Sequence, residues 1–354
     1  MIIYSKIRSS YGHAYKVVGY LEAYNNHYYL LVLLSAIMVF LPANRYASMD
    51  VKLNPNLKSY SMPQWVKWVI VLQLFIVYTY ASVAKLYPDW LNGSVTGLLM
   101  KSKSNYFLIG DLLQEKWIHY LLAYGGILFD GLIVPLLLFK PTRKYAFFVS
   151  IFFHLFNSFV FQIGVFPYLS LAFSLFFFEP KTIQKLFLKK KPFYNKEELI
   201  ILSNRKTLIA VGTVYFIIQT LLPIRHHFIK DNVLWTEEGH RLSWRMMLRA
   251  KYGIIEYSVV NNYTGKTHIV NLDDYLSDKQ KRAASTKPDI IWQFAQYLKH
   301  IFEKDGQEVS IYVDSKISVN GKPFKAFIDP EADLAKLPWN TFKHNHWILP
   351  SKSD

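Results

Sequence analysis

Lys85 stands where a lysine has two different uses. The run VKWVIVLQLFIVYTYASVAKLY (66–87) is apolar and aromatic almost throughout, and Pro88-Asp89-Trp90 follow it at once. A lysine at the end of an apolar helix can snorkel its ammonium to the interface. An amine shut away from water by Ala84, Leu86, Tyr87 and an interfacial Trp90 can instead act as a base. His27, in YNNHYYL (24–30), also reads two ways, as an interfacial histidine opening a helix or as a proton-transfer group. Asn25 and Asn26 before it suit either a helix cap or hydrogen bonds to a bound oxygen. Asp130, in GGILFDGLIVP (125–135), lies inside another apolar run, where a carboxylate must be neutral or paired. A buried structural partner is expected for it, with His154 as the candidate. His154 and Asn157, in FFHLFNS (152–158), fall one helical turn apart on one face and suit interhelical hydrogen bonding equally well.

Other chemistries are thinly represented. The chain has no cysteine, which excludes disulfides, thiolate catalysis and Cys-ligated zinc. No HExxH and no carboxylate–histidine cluster appears at ligand spacing, so no metal is expected. RHHF (225–228) reads as a basic exit from the membrane rather than a ligand pair. A glycine-rich phosphate loop and a GxSxG elbow are both missing.

The elements that must position these groups are mostly membrane-spanning. Of the 354 residues 52% are hydrophobic and 17% aromatic, and the net charge is +16. Much of that basic excess flanks apolar runs, which fits membrane orientation and argues against nucleic acid as a partner. Candidate spans are 28–42, 66–87, 118–139, 145–161, 163–178 and 207–224, with a break expected near Gln162-Ile163-Gly164. Lys181, Lys185, Lys189, Lys190, Lys191, Lys196, Arg205 and Lys206 form the strongest basic loop and place it in the cytoplasm. Alternation then puts His27, Lys85 and everything after Arg225 at the outer side. The N-terminus shows no signal peptide. From about residue 226 the pattern turns polar and mixed. EYSVVNNYTGKTHIVNL (256–272) and VSIYVDSKISVNGKPFKAFID (309–329) read as hairpins, the second turning at Asn320-Gly321. Ile291, Phe294, Ala295, Leu298 and Phe302 mark an amphipathic helix over 287–302. The expected architecture is a polytopic α-helical membrane domain (1–225) followed by a soluble α+β extracytoplasmic domain (226–354).

Several stretches together resemble the vitamin K-dependent gamma-carboxylase family, whose membrane part is the HTTM domain. They are YNNHYYLLVLLSAIMVFLPANRYASMD (24–50), VAKLYPDW (83–90), FHLFNSFVFQIGVFPYLSL (153–171), LPIRHHFIKDNVLWTEEGHRLSWRMMLR (222–249) and VSIYVDSKISVNGKPFKAFIDPEADLA (309–335). The resemblance implies that Lys85 is the base, that His27 assists and that Asn26 meets the quinone-derived oxygen. It implies reduced vitamin K as cofactor, CO2 and O2 as co-substrates, and a glutamate-containing polypeptide arriving from the extracytoplasmic face. The product is gamma-carboxyglutamate, with coupled epoxidation of the hydroquinone. It further implies a bacterial inner-membrane protein, shortened at its N-terminus relative to other members. Two alternatives stay open: quinone epoxidation or other quinone redox chemistry without carboxylation, and a non-catalytic binding remnant. A transporter is disfavoured by the lack of a repeated half.

Overall fold

The computed structural model describes residues 25–46, 48–192, 205–304, 306 and 308–352. The reading of residues 1–24, and Lys196 of the basic loop, lie outside them. Apolar helices come first: α1 (Asn26–Phe40), α2 (Gln64–Val83), α3 (Lys116–Leu138), α4 (Arg143–Phe156), α5 (Phe166–Ser174) and α6 (Arg205–Ile224). Among the described residues, four stretches are long and apolar enough to cross a membrane: Gln64–Val83, Lys116–Leu138, Arg143–Phe161 and Arg205–Phe228. Asn26–Phe40 and Phe166–Phe177, at the first and fifth expected spans, are shorter.

These helices are patterned inside out relative to a water-soluble bundle. Trp68, Leu72 and Phe75 of α2, Leu121, Leu128 and Leu132 of α3, and Ile209, Val214 and Leu221 of α6 face outward, while Gln73, Ser82, Asp130 and Gln219 are buried. Such an apolar exterior is a liability in water and the natural surface in lipid. Polar groups inside bond across helices: Tyr215 donates to Gln73 Oε1 at 2.7 Å, and Gln219 Nε2 donates to the Tyr29 hydroxyl at 2.9 Å.

Small residues set the approach of α2 to α3. A Cβ on Gly131 would stand 3.1 Å from Ser82 Oγ, and that hydroxyl donates to Ile127 O at 2.9 Å. Val66, Ile70, Val71 and Leu74 then pack on Phe129, Ile133, Val134 and Leu137. Beyond α4 the chain widens into a π-helical turn over Asn157–Phe161. It reverses at Gln162 (φ 54°) and Gly164 (φ 69°), the expected break.

After α6 comes a smaller α+β region. Strands β1 (Lys251–Asn261), β2 (Thr267–Ile269), β3 (Val309–Val319) and β4 (Lys325–Ala326) form an antiparallel sheet in the order β2-β1-β3-β4. Both predicted hairpins are present. Asn320 (φ 56°) and Gly321 (φ 76°) take the left-handed conformations that a tight two-residue turn requires. Helix α7 (Pro288–Lys304) lies on the sheet, with Ile291, Phe294, Ala295 and Leu298 fully buried against Tyr257, Ile311 and Val313. Phe302 packs at the margin of that core.

Candidate active site

Lys85 lies just past the end of α2 and is only 7% exposed. Helical Cα–Cβ bonds tilt toward the N-terminus, so a side chain here runs back along its own helix. Lys85 Nζ accordingly donates to Ala81 O at 2.9 Å, and to Asp130 Oδ2 at 2.6 Å. Its ammonium points inward, away from the interface, and does not snorkel. Gly126 keeps the α3 wall low beside it, since a Cβ there would touch Lys85 Cε at 3.9 Å. Trp90 closes the outer side, its ring centroid 5.7 Å from Nζ and its Nε1 donating to Ala123 O at 3.0 Å.

Two expectations need correction here. Asp130 is paired with Lys85 and not with His154. The sequence placed Lys85 too shallow, because position along the chain locates Cα while the long side chain carries the charge deeper. His154 instead shares a 2.9 Å hydrogen bond with the Tyr78 hydroxyl and packs edge-on against Phe129, Phe153 and Phe166. Nor is Lys85 an amine shielded by grease alone, for it has a carboxylate partner.

Asn25 caps α1 by accepting from Tyr28 N at 2.8 Å, which leaves Asn26 and His27 on the first turn. Asn26 is buried and donates from Nδ2 to Arg245 O at 3.0 Å. His27 stacks on Phe166 of α5, ring centroids 4.5 Å apart. Both line a cavity of about 280 Å³ whose other walls come from the segment 237–249 and from Lys287 and Asp289. Lys85 does not line it. Its neighbours Ala84 and Tyr87 pack on Leu248, a lining residue, and the Tyr87 hydroxyl donates to Leu248 O. The structure thus joins Asn26 and His27 directly and sets Lys85 one layer behind the wall.

The segment 237–249 enters the sequence reading only within the stretch 222–249 that carries the family resemblance, and none of its residues was assigned a role. Arg241, Arg245 and Arg249 recur every four residues, which looks like a helix face. The chain instead winds through turns, with Glu237, Leu242, Trp244 and Met247 in the left-handed region at φ 52–60°. For non-glycine residues this costs about 1–2 kcal/mol each, so tertiary contacts must hold them. Trp244, fully buried, stacks on Tyr29 at 4.8 Å among the apolar helices. Arg249 donates from Nε to Glu237 Oε1 at 2.5 Å and from its terminal nitrogen to Oε2, while Lys251 Nζ donates to Trp235 O at 2.7 Å.

Burial alone would raise the Glu237 carboxyl, but the charges of Arg249 and Lys251 outweigh it and hold it well below the usual carboxylate range. Burial draws Lys251 down to about 8 and Arg245 down to about 10, each opposed in part by Glu237. Burial, with the Arg249 charge adding to it, holds His240 well below the ordinary histidine value, so its ring is neutral at pH 7. Among the described residues, the lining sets Arg241, Arg245, Arg249 and Lys287 against two acids, Glu237 and Asp289. Arg249 is taken by Glu237, and Arg241 by Asp289 at 2.5 Å. Arg245 is 9% exposed and has no acid in ion-pair contact among the described residues, and its Nε is buried without a hydrogen-bond partner. Among the described residues, the lining therefore carries more cations than acids. No group of three or more potential metal ligands occurs among the described residues.

A family model described as the HTTM domain matches residues 11–181. A second, described as the lumenal domain of vitamin K-dependent gamma-carboxylase, matches residues 204–354 and so takes in α6 together with the sheet. No solved structure matches the chain. The outward-facing apolar helices and the two matches agree: this is a carboxylase-like membrane protein with an extracytoplasmic domain, and it belongs to the vitamin K-dependent gamma-carboxylase family.

Proposed function

We propose that this protein is a gamma-glutamyl carboxylase of a bacterial inner membrane, converting peptide glutamate to gamma-carboxyglutamate with CO2 and O2. Epoxidation of reduced vitamin K is coupled to it, and the chain divides into a membrane part (1–225) and an extracytoplasmic part (226–354). The observation that carries this reading is a buried lysine–carboxylate pair placed one layer behind an arginine-lined cavity. The cavity's donors fit an aromatic diol: Asn26 and His27 on one side, the apolar side chains of Met246, Met247 and Leu248 on the other. Those residues would hold the hydroquinone, with Lys85 as base, His27 assisting and Asn26 at the oxygen. When bound, reduced vitamin K supplies with oxygen the strong base that a glutamate gamma carbon requires.

The remaining work falls to the chain's own groups. Moving one proton across the 2.6 Å Lys85–Asp130 bond converts an ion pair into a neutral amine and a neutral acid. Asp130 thereby gives Lys85 a place to leave a proton without water. Arg245, with no acid in ion-pair contact among the described residues, is suited to hold the substrate carboxylate as a charge-assisted hydrogen-bond donor. Trp90 and Trp244 exclude water, which would quench a carbanion.

The test is to supply the purified protein with reduced vitamin K, labelled bicarbonate and a glutamate peptide. Epoxide together with peptide-bound label is the expected result, and Lys85→Ala should remove both. Epoxide without label would mean quinone oxidation uncoupled from carboxylation. Formation of neither would sink the enzyme reading.

A further inference from the structure

Among the described residues the sheet has an edge left unpaired, and the strand that forms it continues from the cavity wall. β1 pairs with β3 along its whole length, Lys251↔Val319 through Asn261↔Val309. It pairs with β2 only from Ser258 to Val260. Antiparallel strands alternate the side to which successive N–H and C=O groups point. Asn320 N donates to Ala250 O at 2.8 Å and Asn262 N to Glu308 O at 2.9 Å, so even-numbered residues serve β3. Val270 N donates to Tyr257 O at 2.9 Å and Asn261 N to Lys266 O at 3.0 Å, so odd-numbered residues serve the β2 side. Lys251, Gly253 and Ile255 therefore turn their backbone groups to that side, beyond the reach of β2. Among the described residues none of these groups has a partner there.

Natural edges are usually blunted by charge, proline or a bulge. This one carries exposed Tyr252 (59%) and Ile254 (66%) on its outer face. The Lys251 ammonium is folded back onto Trp235 O and Glu237. Gly253 serves packing, because a Cβ there would lie 2.0 Å from Ser285 O on the sheet's inner face. Ser285 covers that face beside Gly253.

We propose that an extended segment of the polypeptide substrate adds to this edge as a further strand, delivering an acidic side chain to the arginine-lined cavity. The inference rests on the carboxylase reading for the identity of its occupant. Continuity argues for it: β1 begins two residues after Arg249, a lining residue. From Ile255 to Arg249 is roughly 20 Å of extended chain at about 3.3 Å per residue. Charge argues the same way, since the lining carries more cations than acids. Main-chain hydrogen bonds would supply affinity without demanding a particular sequence, leaving selection to the acidic side chain at the end.

The test uses the intact protein in lipid nanodiscs without reduced quinone, so that binding is read without turnover. The probe is a synthetic peptide bearing one glutamate flanked by alternating valine and threonine. Its series carries a single backbone N-methyl group at each position in turn. Binding should weaken by about 3- to 10-fold at every second position and stay unchanged at those between. Residue-resolved amide exchange should slow at Gly253 and Ile255 and remain unaltered at Tyr252 and Ile254, whose amides already serve β3. A series without alternation, protection elsewhere, or no binding overturns the proposal. So does protection of Gly253 and Ile255 that rises with protein concentration alone, which would assign the edge to a second copy. Alternating binding with no label fixed under turnover conditions would keep the docking edge and discard the carboxylase reading; fixation without alternation would do the reverse.

Discussion

At the scale of single residues, the Lys85–Asp130 pair separates stability from chemistry. Removing one member of a buried ion pair strands the other and costs about 3–5 kcal/mol, whereas replacing both with apolar side chains of similar size is often neutral or stabilising. Asp130→Asn and Lys85→Met should each lower the unfolding midpoint in detergent, and the double variant Lys85→Met/Asp130→Leu should recover it. Epoxidation should follow a different order. It should fall by at least about 100-fold in Asp130→Asn, the scale of general acid–base catalysis, and stay absent in the stable double variant. A double variant that regained activity along with stability would reduce the pair to a packing device.

Among elements, the turn segment after α6 is held by charge. Glu237 accepts from Arg249 and Lys251 and keeps a carboxyl well below its ordinary value of 4.5. The unfolded chain therefore binds this proton at a higher pH than the folded one. The Glu237 contribution to stability is complete above about pH 4.5 and is lost as pH falls further. Glu237→Gln should cost about 3–5 kcal/mol near neutrality and flatten the acid limb of the stability profile, read by chemical denaturation across pH. What the sequence disclosed about elements follows the range of the forces involved. Asn320-Gly321, the alternation of β3 and the spacing of Ile291, Phe294 and Leu298 are local signals, and the elements they mark are present. Lys85 and Asp130 were visible as charges in apolar runs, but which helix face met which was not, so the carboxylate was assigned the wrong partner. The cavity wall was hidden for the same reason. The every-fourth spacing of Arg241, Arg245 and Arg249 is a helical period, yet the stacking of Trp244 on Tyr29 and the Glu237–Arg249 pair hold the segment in turns.

Across the whole molecule, the sheet region is pinned to the helices at named points. Asp89 accepts from Asn320 Nδ2 at 3.0 Å and pairs with Lys322 at 2.8 Å, Tyr87 reaches Leu248 O, and Trp244 stacks on Tyr29. Trp244 is the deepest of these anchors. Trp244→Ala should cost about 3–5 kcal/mol and open the 237–249 segment to proteolysis while leaving the sheet core folded. Cleavage no faster than in the parent protein would mean that the other anchors suffice. The bond from Asn26 to Arg245 O spans 219 positions. The two sides of the cavity are therefore made 219 residues apart in translation. The later side must be synthesised and brought against the first before the cavity exists at all. A half-made chain therefore presents no enclosed cavity in which a ligand could sit.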